Sequence, residues 1–69
     1  MSNIALNIME PEEITRVKSI FHDVMLALPI YYQTNSVRAE VAESILKLVA
    51  EGERDALRLK ERIIDRYLS

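Results

Sequence analysis

Sixty-nine residues allow one domain, and a single core in so short a chain supplies only about 3–5 kcal/mol of net stability. The chain has no cysteine and one histidine, which excludes disulfides and zinc sites of the usual kind; a 49% hydrophobic share excludes disorder, and one glycine with two prolines gives too few turns for an all-β fold. The net charge of −2 hides no strongly basic segment of the kind that phosphate binding favours, and no apolar run approaches the roughly 20 residues of a membrane span.

The chain opens with a short arm, residues 1–9, followed by a single helical domain over 10–69. In the arm, Ile4, Leu6 and Ile8 alternate with Ala5 and Asn7. That spacing is strand-like over too few residues to define an element. Docking on the helices, pairing with its copy in a dimer, and disorder at a chain end are all compatible with it. The arm lacks a basic start and a continuous apolar stretch, so it does not read as a signal peptide, and a cytoplasmic location is the default expectation.

Helix one is expected to start near Pro11, because proline suits a first helical turn and Glu10, Glu12 and Glu13 place negative charge at the positive end of the helix dipole. At about 100° per residue, Ile14, Val17, Ile20, Phe21, Val24, Met25, Ala27 and Leu28 share a face, with Leu26 out of place on the polar side. Pro29 stops the helix and biases Leu28 away from helical geometry. The linker from Pro29 to Ser36 ends in three N-cap candidates, Thr34, Asn35 and Ser36.

Helix two is expected from about Val37 to Glu51. Its apolar arc, which includes Ala39, Val41, Ala42, Ile45, Leu46, Leu48, Val49 and Ala50, spans roughly 220° of the wheel. A helix this apolar must be contacted on two sides, which makes it the expected centre of the fold. Gly52 allows two readings. It closes helix two by adopting positive φ, with Asp55 capping a third helix over Ala56–Leu68, or it lies inside one long helix, since Val41, Ile45, Leu48, Gly52, Ala56, Leu59, Ile63 and Tyr67 keep helical spacing through it. The break is the better stop-and-start signal. Helix three then carries two stripes: Ala56, Leu59, Ile63 and Tyr67, and beside them Leu57, Ile64 and Leu68. A three-helix monomer covers one stripe easily and both with difficulty.

Chemistry-bearing motifs are scarce. His22 lies on the wet face of helix one, where positions 18 and 26, one turn either side, are Lys and Leu and cannot help to hold a metal or orient a catalytic base. The glutamates at 10, 12 and 13 are explained by the helix start. Arg58, Arg62 and Arg66 recur every fourth residue, but Glu61 and Asp65 lie within one turn and can neutralise that face. No catalytic, metal or cofactor site is expected. Tyr31 and Tyr32 in the linker either cover the end of the core or serve as contact anchors.

The order of elements over Asn3–Leu48, an alternating arm, a helix, then Thr34-Asn35-Ser36 opening a second helix, resembles a ribbon–helix–helix repressor. That resemblance implies a dimer whose paired arms enter the major groove of DNA. The outward arm residues would be Asn3, Ala5 and Asn7, with no Lys or Arg before Arg16, and helix one is longer than that fold normally uses. A helix-turn-helix using helix three is a variant of the same alternative. The leading expectation is a non-enzymatic, all-α interaction or regulatory protein that forms a homodimer, with Tyr31, Tyr32, Leu57, Ile64 and Leu68 at the interface.

Overall fold

The computed structural model describes residues 10–68, which form α1 (Pro11–Ala27), a 3-10 turn (Ile30–Tyr32), α2 (Asn35–Ala50) and α3 (Ala56–Leu68). The expected arm at residues 1–9 lies outside the described residues.

Each helix boundary has a local cause. Helix α1 begins with Pro11 at its first position and Glu12 and Glu13 in its first turn, and it ends where Leu28 turns extended ahead of Pro29. Its last carbonyls are met by a side chain from beyond the helix: the Gln33 amide donates to the carbonyl oxygens of Met25 (2.6 Å) and Leu28 (3.3 Å). Helix α2 is capped by the first of the three candidates, the Thr34 hydroxyl accepting from the Val37 amide at 3.1 Å. It therefore starts two residues before the expected Val37.

At the far end of α2 the break occurs and the continuous-helix alternative fails. Gly52 has φ +104°, the Gly52 amide donates to Val49 and the Glu53 amide to Leu48, both at 3.0 Å. This pair of bonds is the Schellman closure, which requires a left-handed residue and so favours glycine. Arg54 adds a third bond, donating to the Val49 carbonyl at 3.0 Å. Asp55 then opens α3 as expected, its Oδ1 accepting from the amides of Leu57 (3.0 Å) and Arg58 (3.3 Å).

The core consists of Ile20, Val24, Met25 and Leu28 from α1 and its end, Val41 and Ile45 from α2, and Leu59 and Ile63 from α3. Half of it comes from the first helix and the residue that ends it, so α1 is the centre of the bundle in place of α2. The reason is that the apolar arc of α2 is only partly used. Ala39, Leu46 and Ala50 stay exposed, because α1 and α3 cover one sector of a helix whose greasy surface is wider than that sector.

Candidate interaction surface

The second stripe of α3 can be placed from the bonds on either side of it. Lys60 makes an ion pair with Asp23 of α1 at 3.2 Å, while Tyr67 and Arg66 reach α2, donating to Glu40 (2.8 Å) and to the Ser44 hydroxyl (2.8 Å). Leu57, Ile64 and Leu68 lie within about 40° of one another on the helix wheel, beyond Lys60 and away from α2. Leu57 is 62% exposed and Leu68 50%, whereas Ile64 is partly buried against the core. The stripe is thus an exposed apolar strip with Ile64 as its floor. Lys60 borders it on the α1 side and Glu61 follows on the other, a polar margin around an apolar middle.

At the end of α3, Tyr67 meets the tyrosines of the 3-10 turn. Tyr32 turns inward: its ring meets Tyr67 edge-on at 5.4 Å and its hydroxyl donates to the Tyr67 carbonyl at 3.0 Å. That carbonyl is one of the last four of a helix, which have no partner within it. Tyr31 stacks obliquely on Tyr32 at 4.6 Å and remains 71% exposed, and Ile30 beside it is 87% exposed. The structure therefore divides the tyrosine pair. One ring closes the core and the other faces outward, as the geometry of two adjacent side chains requires.

A second apolar surface was not singled out by the sequence. Between α1 and α2, Val17, Phe21, Ala42 and Leu46 line a solvent-open recess of about 230 Å³ with Lys18 at its rim. Leu46, which lines it, is more than one-third exposed. The signal that could have found it is the excessive width of the α2 arc, which two neighbours cannot cover.

The chemistry of the rest of the surface is plain. Among the described residues no group of three or more His, Asp or Glu side chains is placed to hold a metal ion, and His22 is exposed on α1. Of the arginines on α3, Arg62 approaches Glu53 at 3.9 Å and Arg66 is bonded to Ser44, so two of them are engaged by other elements. Lys47, Glu51, Arg62 and Arg66 border an open basin between α2 and α3 in which both signs of charge are present. Within the described residues no helix is long and apolar enough to cross a membrane. Comparison with protein-family models, with curated proteins and with solved structures gives no match for this chain.

Proposed function

We propose that this protein is a non-enzymatic interaction module that forms a homodimer through the outer stripe of α3, with Leu57 and Leu68 as the contacts, Ile64 beneath them and Tyr31 at the end of the strip. The observation that carries this reading is the exposure of two large leucines on one sector of α3, in a chain with no disulfide to supplement a small core. Leucine left in water forgoes about 1.5–3 kcal/mol of transfer free energy, so a second copy that covers both has a substantial driving force. A stripe on one helix meets its own copy across a two-fold axis, the simplest closed arrangement. Tyr31 adds a large ring with a polar tip, a side chain suited to the end of such a contact. Tyr32 contributes by holding that ring in place.

Sedimentation analysis over about a hundredfold range of protein concentration tests the reading. The wild type is expected to sediment as a dimer at the upper end. Leu57→Asp and Leu68→Asp place charges on exposed positions, so they should keep the helical circular dichroism while weakening association about tenfold or more. A wild type that stays monomeric throughout overturns the proposal. Salt-sensitive retention of duplex DNA in a low-salt mobility-shift assay would favour the nucleic-acid alternative instead.

A further inference from the structure

The geometry points to one alignment of the two copies: α3 meets α3 parallel and in register, with Lys60 of each copy beside Glu61 of the other. This inference rests on the proposed contact through α3 and adds the direction of the second copy.

The spacing of the stripe supplies the first argument. Leu57 and Ile64 are seven residues apart, Ile64 and Leu68 four. Along the axis these gaps are about 10 Å and 6 Å at 1.5 Å per residue. A parallel copy repeats the two gaps in the same order, so all three apolar levels coincide. A reversed copy presents them in the opposite order. If Leu57 is then level with Leu68 of the second copy, Ile64 is level with Glu61, and a carboxylate is pressed toward apolar surface. A shift that brings Ile64 level with its counterpart carries Leu57 beyond Leu68 and leaves it in water.

Charge supplies the second. On the wheel Lys60 stands about 60° to one side of the middle of the stripe and Glu61 about 40° to the other. Parallel helices related by a two-fold axis along their length bring opposite flanks together, so Lys60 meets Glu61 twice. A reversed pair brings like flanks together. Glu61 would then face the side of the second copy that carries Glu61 and Asp65. Arg58, about 100° round from the middle of the stripe, is too far into solvent to offset that repulsion. Both members of the favourable pair can take part. Glu61 is exposed and makes no ion pair among the described residues. The Lys60 ammonium has three donors, of which the bond to Asp23 uses one. Parallel helix dipoles oppose this alignment only weakly, since the effect at exposed helix ends is screened and confined to the last turn.

With no cysteine in the chain, single substitutions read the direction. The measurement is made at a protein concentration where sedimentation shows a dimer. Leu57→Cys alone and Leu68→Cys alone are each expected to close an interchain disulfide at least about tenfold faster than a mixture of the two forms the 57–68 bridge. A bridge needs Cα atoms within about 7 Å, and positions 57 and 68 lie about 16 Å apart along the helix. A mixed bridge that forms as fast as the matched ones overturns the alignment and keeps the α3 contact. Glu61→Lys gives a second reading whose sign differs between the alignments. In the parallel pair the new ammonium faces Lys60 of the second copy, and the dissociation constant should rise about threefold or more. A constant that is unchanged or lower overturns the inference. Failure of the contact itself is seen separately: a wild type that stays monomeric, or a dimer that Leu57→Asp does not weaken, removes the α3 interface and the alignment with it.

Discussion

Tyr67 shows how much a single side chain near the end of this chain contributes. Burial raises its pKa above the ordinary value of 10.0, and the hydrogen bond to Glu40 and the charge of that carboxylate raise it further. A folded pKa above the unfolded one means that the protonated phenol stabilises the protein fully below about pH 10. That contribution disappears as pH rises through the higher folded value. Tyr67→Phe is therefore expected to be about 0.5–1 kcal/mol less stable at neutral pH, for loss of the bond, and to have a shallower fall in stability above pH 10; urea unfolding at several pH values checks both. Gln33 is the other residue whose role is large for its size. Gln33→Ala removes a donor to two carbonyls at the end of α1, of which that of Met25 keeps the Leu28 amide, and a loss of about 1 kcal/mol in urea unfolding is expected. Neither role was legible in the sequence. Gln33 reaches Met25 only because the 3-10 turn brings the chain back, and Tyr67 finds Glu40 across a helix pair, so both depend on approach between distant segments.

Helix ends, by contrast, could be read directly, since caps act within three or four residues. Pro11, Pro29, Gly52 and Asp55 each do what their local chemistry dictates. Thr34 was one of three adequate caps, and only the path of the 3-10 turn selects it. Gly52→Ala tests the Schellman closure cleanly: a Cβ there would meet nothing within 4 Å, so the expected penalty of about 1–2 kcal/mol is purely that of a left-handed backbone. Asp55→Ala should cost about 1 kcal/mol by leaving the first amides of α3 without an acceptor. The two substitutions act on opposite sides of one short turn, and a double mutant measured by urea unfolding should show losses that do not simply add. Which way each helix faces was less legible. The stripe at Leu57, Ile64 and Leu68 followed from periodicity, yet the depth of Ile64 against the exposure of its two neighbours reflects where α1 happens to lie. On α2 the wide arc marked excess apolar surface without marking which part would stay open, because that depends on the angles at which two other helices approach.

At the scale of the whole molecule, eight buried side chains among the described residues, all apolar, form the core. If association through α3 supplements that core, the wild-type Tm should rise with protein concentration, and the Tm of Leu57→Asp should not, by mass action on the folded dimer. Differential scanning calorimetry at two concentrations is sufficient to compare them.

The placement of the aromatic rings has a practical consequence. Tyr31, Tyr32 and Tyr67 are all the tyrosines the chain possesses, there is no tryptophan, and Phe21 is the sole phenylalanine. The three phenols form one touching series at the end of α3, while the phenyl ring lines the recess between α1 and α2. Near-ultraviolet bands of the two ring types are separable in wavelength, so an unlabelled sample carries two built-in optical reporters. A change in the phenol band alone signals an event at the end of α3, and a change in the phenyl fine structure signals one at the seam between the first two helices.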